Sequence, residues 1–205
     1  MNAQDAILIA LVLPLIGALG IALAGRVSAN LRETITLLTA GGLAFTVWQL
    51  VPEIMAGGRP GVTLAEVLPG ITIAFTVEPL GMLFAALASG LWIINSIYSI
   101  GYMRGNAEKN QTRFYVMFAV SLAATMGIAF AGNLFTLFLC YEALTLATYP
   151  LVAQKGDEKT VRSALVYLVV LLATSIGLFL PAIIWTYAVA VTCYFTLGGI
   201  LAGNI

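Results

Sequence analysis

Residues 134–153 read LFTLFLCYEALTLATYPLVA. These twenty residues carry one ionisable side chain, Glu142, and at 1.5 Å per helical residue they reach about 30 Å, the thickness of a bilayer's hydrocarbon core. No period-two alternation runs through them, so the segment reads as a membrane-spanning helix rather than a barrel strand. Immediately before it, Gly132 and Asn133 form nearly the whole connection to another apolar run, Phe114 to Ala131. A connection that short makes the two helices antiparallel neighbours.

Four further segments have the same character: Ala6 to Gly25, Thr34 to Val51, Leu80 to Met103 and Ala164 to about Ala188. The expected fold is an all-α integral membrane protein of about six transmembrane helices, forming a single transmembrane domain over residues 1–205. Composition agrees, since 61% of the residues are hydrophobic and 9% charged, against about a quarter charged in soluble domains. A water-soluble globule is excluded. Between the second and third helices, Pro52 to Pro79 is broken by prolines and glycines, and its β-branched runs Val62 to Val67 and Ile71 to Val77 predict a short hairpin.

Charge sets the expected orientation. The breaks after the first, third and fifth helices hold Arg26 and Arg32, then Arg104, Lys109 and Arg113, then Lys155, Lys159 and Arg162, whereas the other side holds Arg59. Basic residues collect on the cytoplasmic side, so the N-terminus is expected outside and the hairpin on the outer face. The expected location is the cell inner (plasma) membrane, as a multi-pass protein. Net charge is zero and no basic block exists, which removes nucleic acid as a partner. With no histidine and two cysteines, Cys140 and Cys193, far apart in apolar surroundings, no metal or cofactor site is expected.

Once the flanking charges are assigned to loops, Glu142 remains inside the membrane. A carboxylate there costs on the order of 2.5 to 3.5 kcal/mol on insertion scales, so it needs a proton, water or a cation. Thr145 and Tyr149 follow at helical spacings of three and seven and share its face. Ser163, Tyr167 and Thr174 align on the sixth helix, and Ser121 and Thr125 on the fourth, so that facing stripes are expected to hold ordered waters along a proton path. The competing reading is that these hydroxyls bond to backbone within the bundle. Ala123, Gly127 and Ala131 are expected to permit close packing, and Pro150 and Pro181 to kink their helices.

Arg113-Phe114-Tyr115, then residues 132–138 (GNLFTLF), Tyr141-Glu142-Ala143-Leu144 and Tyr149-Pro150-Leu151 together resemble the antiporter-like membrane subunits of respiratory complex I, membrane-bound hydrogenases and Mrp-type sodium/proton antiporters. Residues 98–103 (YSIGYM) add a flavour of the Mrp D-type subunit. The resemblance implies that Glu142 is the family's intramembrane carboxylate on the fifth helix, working with a lysine on the seventh. This chain departs in two ways: Glu78 stands where the family has an aspartate, and the sequence stops at Ile205, where the lysine-bearing helix would begin. It therefore resembles the N-terminal part of such a subunit, with half of the expected couple.

Two functions follow as expectations. One is a proton- or sodium/proton-translocating subunit of a multisubunit membrane complex that uses Glu142, with other integral membrane subunits and the bilayer as partners. The alternative is a non-transporting structural or assembly subunit. Catalysis by the chain alone is not expected, because no nucleotide loop or cofactor ligand set is present. It could still serve a redox complex whose cofactors lie in other subunits.

Overall fold

The computed structural model describes residues 2–68 and 71–189, and Cys193 lies outside them. Among the described residues, six helices are long and apolar enough to cross a membrane: α1 (Ala3–Ala24), α2 (Ala29–Met55), α3 (Pro79–Gly105), α4 (Gln111–Ala129), α5 (Leu134–Val152) and α6 (Glu158–Val189). Between α2 and α3 lies the antiparallel hairpin of β1 (Gly61–Leu68) and β2 (Ile71–Thr76). Successive helices run antiparallel. The hairpin, the α4–α5 turn and the N-terminus gather at one end of the bundle, where Gln4 donates to the Gly61 carbonyl at 3.1 Å. The loops between α1 and α2, α3 and α4, and α5 and α6 gather at the other.

The core lies among α1 to α4. Ile7, Ile21, Leu43, Val47, Trp92 and Met126 are buried there, with α1 packed on both α2 and α4. Small residues set the helix spacing. A β-carbon at Gly127 would stand 2.6 Å from Cys140 Sγ, so that glycine lets α5 close onto α4. One at Gly81 would overlap the Ala129 backbone carbonyl, which cannot swing away as a side chain could. We therefore expect Gly81→Ala to cost about 1–3 kcal/mol through overpacking, read as a lower melting temperature of the purified protein. Gly90→Ala is the control, because that position opens onto free space and gains helix propensity instead. Equal melting of the two variants would refute the close approach.

The hairpin is fastened to the α4–α5 turn. Thr76 N donates to Phe130 O at 2.7 Å and Gly132 N to Ala74 O at 2.8 Å, so residues 130–132 continue the sheet edge beside β2. The Asn133 side chain donates to Thr72 O and also N-caps α5 by accepting from Thr136 N, both at 2.8 Å. The buried Thr136 hydroxyl accepts from Ala74 N at 3.0 Å. This explains why α4 ends at Ala129 and not at Ala131: the next residues leave the helix to pair with the hairpin.

The opposite end is held by ions. Ser28 caps α2, whose first turn therefore starts at Ala29, five residues before the expected Thr34. Arg32 consequently lies inside the helix and is buried, not in the loop to which sequence reading assigns it, and Glu33 is buried beside it. Glu33 bonds Arg32 at 3.0 Å and Arg104 of α3 at 2.6 Å. Arg32 reaches α4 through Gln111 Oε1 at 2.8 Å and stacks over Tyr115 at 5.1 Å. Arg113, likewise in a helix, donates to the carbonyls of Ala153 and Gln154, countering the negative end of α5. At the head of α6 the Thr160 hydroxyl and amide both donate to Asp157, the N-cap, and hold its carboxyl below the usual carboxylate value.

Candidate functional site

Glu142 sits midway along α5 and is half-buried, with Oε1 enclosed and accepting no hydrogen bond among the described residues. All nine Lys and Arg side chains of the sequence lie at or near helix ends, so the middle of the bundle contains no basic residue from the described part. Successive helical residues turn by about 100°, which sends Cys140 to the opposite side of α5 from Glu142. That opposite side is the one that meets Gly127 on α4.

Glu142 adjoins the side that meets α6. Phe138, one turn before it, and Tyr141, directly before it, both contact the Phe179 ring edge-on, at 5.9 and 6.3 Å between centroids. Thr145, one turn on, is buried, and Tyr149 is half-buried. A crevice of about 320 Å³ opens between the two helices, lined by Tyr141, Thr174, Ser175, Leu178 and Phe179.

The other hydroxyls are distributed differently. On α4, Ser121 is buried and donates to Met117 O at 2.9 Å, and Thr125 donates to Ser121 O at 2.8 Å, both within their own helix. On α6, Ser163 and Tyr167 are exposed. Thr174 is exposed as well, lines the crevice and donates back to Val170 O and Leu171 O. The hydroxyl that α6 buries is Ser175, 4% exposed, one position beyond the residue that spacing singles out. Helical periodicity does align Thr174 with Ser163 and Tyr167, but the side they share is the exposed one, and Ala164 and Ser175 are among the residues of α6 that are buried. Beyond Thr174 the winding changes to a π-helix over Ser175–Phe179, and Gly177 followed four residues later by Pro181 is its sequence signal, since proline removes the donor and crowds the carbonyl four residues back.

Most of α6 is unpartnered within the described residues: it leans on α5, and Leu165, Val166, Val169, Val170, Ile184 and Trp185 are exposed. No group of His, Cys, Asp and Glu side chains able to hold a metal ion occurs among the described residues.

Comparison with known proteins agrees with this architecture. The family model described as NADH:quinone oxidoreductase/Mrp antiporter, TM, matches residues 131–200, which begin at the α4–α5 turn and include Glu142. The N-type subunit of the NADH-quinone oxidoreductase of Desulforudis audaxviator (strain MP104C) is 26% identical over 83% of this chain and 34% of its own length. The D-type subunit of the Na(+)/H(+) antiporter of Alkalihalophilus pseudofirmus is 22% identical over 80% of this chain and 32% of its own length. The A-type subunit of that antiporter is 32% identical over 42% of this chain; the D-type flavour is thus one of several such likenesses. The chain spans about a third of the length of the N-type and D-type relatives. Among solved structures, a chain of the membrane-bound sulfane sulfur reductase, an archaeal respiratory membrane complex, shares the fold with a TM-score of 0.67 over 87% of this chain, at 20% identity. In sequence the chain is thus similar to membrane subunits of NADH-quinone oxidoreductases and of Mrp-type antiporters.

Proposed function

We propose that the chain is a proton-translocating, or sodium/proton-translocating, component of a larger membrane complex, and that Glu142 is its proton-binding group. The observation that carries this reading is the enclosed, unpartnered carboxyl oxygen of Glu142 in the middle of a span. An intramembrane carboxylate is costly enough to mark a functional position. A proton neutralises it, and a cation brought near it would favour release of that proton. With every basic residue at a helix end, that cation comes from outside these six helices, and the exposed faces of α6 offer the surface against which it docks. Thr145 and Tyr149 extend the path along α5, and Ser121, Thr125, Tyr167 and Thr174 are its remaining candidate contacts.

The test is the ion-coupled pH change across vesicles that contain the assembled complex with Glu142→Gln in place. Loss of that change with assembly intact supports the reading. Retention of full activity would leave a scaffold subunit as the better account.

Orientation is part of the proposal. Eight basic residues at one end against Arg59 at the other support an orientation with the hairpin and N-terminus on the outer face of the plasma membrane. A cysteine introduced at Lys109 is therefore expected to react with an impermeant thiol reagent from the cytoplasmic side of sealed vesicles. Preferential reaction from outside would reverse the topology.

A further inference from the structure

Helices α2 and α3 leave a groove of about 370 Å³ between them at the hairpin end of the bundle. Its walls are the last two turns of α2, with Trp48 and Met55, and the first two turns of α3, with Leu83 and Ala86. Ile54 and Met82 are buried at its floor, whereas Trp48, Met55 and Leu83 are exposed along its rims. Two helical turns rise about 11 Å, and one leaflet's hydrocarbon is about 15 Å deep, so the groove lies at the depth of acyl chains. Every lining residue is apolar. Helices that pack together in lipid rely on small residues and polar contacts, as α4 and α5 do where Gly127 meets Cys140. Here the rims are long or bulky side chains, which admit a flexible hydrocarbon chain but hold a second helix backbone away.

The mouth of the groove is charged. Just after α2, Gly57 takes a φ of +90°, which suits glycine, and the chain doubles back so that the Gly58 amide donates to the Glu53 carbonyl at 3.0 Å. Arg59 then pairs through Nε with Glu78 Oε2 at 2.9 Å. Glu78 directly precedes Pro79, the first residue of α3 and part of the groove wall. Nη1 of Arg59 donates to the Gly58 carbonyl at 2.9 Å, so two of the five guanidinium N–H donors are committed and the others can meet a further acceptor. This one basic side chain stands among four acidic ones at the same end: Asp5, Glu53, Glu66 and Glu78. A headgroup that brings only negative charge is repelled by that balance. A headgroup with a phosphate and a primary ammonium matches both signs, because Arg59 donates to the phosphate while the carboxylates of Glu53 and Glu78 accept from the ammonium.

We propose that this groove binds a phospholipid with an ethanolamine headgroup, one acyl chain lying between α2 and α3 and the headgroup resting on Arg59, Glu53 and Glu78. The site is independent of Glu142 and serves in either orientation of the chain. The test is photocrosslinking of the assembled complex in phosphatidylcholine bilayers that contain a small fraction of phosphatidylethanolamine or phosphatidylglycerol with a diazirine on the acyl chain, followed by peptide mapping. The ethanolamine probe is expected to label residues 48–55 and 79–86 about two- to fivefold more than the glycerol probe does, the scale of an exposed ion pair. Ile9 and Val12, exposed two to three turns into α1 from the same end, are expected to show no preference. Arg59→Gln is expected to remove the preference at the groove, and Ala86→Phe, which fills the groove, to lower labelling there by both probes. Equal labelling by the two lipids in the unaltered complex would overturn the proposal, as would a preference unchanged in Arg59→Gln. Absence of adducts from both segments would show the groove covered by protein, a neighbouring subunit or a second copy, and would overturn it as well.

Discussion

Glu142→Gln is expected to reduce ion-coupled pH change by about 10²-fold or more, the scale on which removing a proton-transferring group acts, while the amount of assembled complex stays near that of the unaltered protein. Glutamine keeps the length and hydrogen-bonding capacity of the side chain but cannot release a proton. It is also cheaper to bury than a carboxylate, so a purely structural role predicts an unchanged or slightly more stable complex. Glu142→Asp separates the two accounts further. It retains the acid but withdraws it by one methylene, so an intermediate rate is expected if proton exchange is the role, whereas packing alone predicts no relation between rate and acidity. The deciding measurement is flux normalised to complex. Full flux in the Gln variant would remove Glu142 from the mechanism.

Glu33→Ala is expected to be the most destabilising single change at the end of the bundle opposite the hairpin. Its carboxylate is the counter-ion of Arg32, and both side chains are 7% exposed. Removing one partner of a buried pair strands the other charge, which costs about 3–5 kcal/mol. Arg32 would keep Gln111 and Thr112, but neither is an anion. Arg104 is about half exposed and can turn to water, so little of the loss is assigned to it. The comparison that isolates the pair is Arg32→Met with Glu33→Leu, which removes both charges and is expected to recover much of the stability lost in the single variant. Thermal unfolding of the purified complex reads both. If Glu33→Ala melts with the unaltered protein, the pair is not what holds α2, α3 and α4 together at this end.

The sequence by itself determined the elements. Span length and hydropathy are local properties, so six helices, a hairpin between prolines and a tight turn at Gly132-Asn133 could all be read without knowledge of any contact. The position of Glu142 followed equally directly, because a lone carboxylate within twenty apolar residues stands out without a partner. What each helix turns toward its neighbours did not follow. In a soluble bundle polarity marks the outer face, but here lipid-facing and core-facing residues are both apolar, as with the exposed Leu139 and the buried Phe138 on α5. Only packing decided that Ser175, not Thr174, is buried, because the stripe of Ser163, Tyr167 and Thr174 is on the exposed side of α6 and spacing alone does not say which side meets α5. Only packing brought Arg32, Glu33 and Arg104 together across 71 residues of separation between Glu33 and Arg104. Tertiary contact also decided where α4 ends: Phe130 and Ala131 still donate back into the helix, but the Phe130 carbonyl and the Gly132 amide are claimed by a hairpin more than fifty residues earlier in the chain. A backbone donor near the end of a span must be satisfied by some acceptor, and the fold, not the local sequence, selected which.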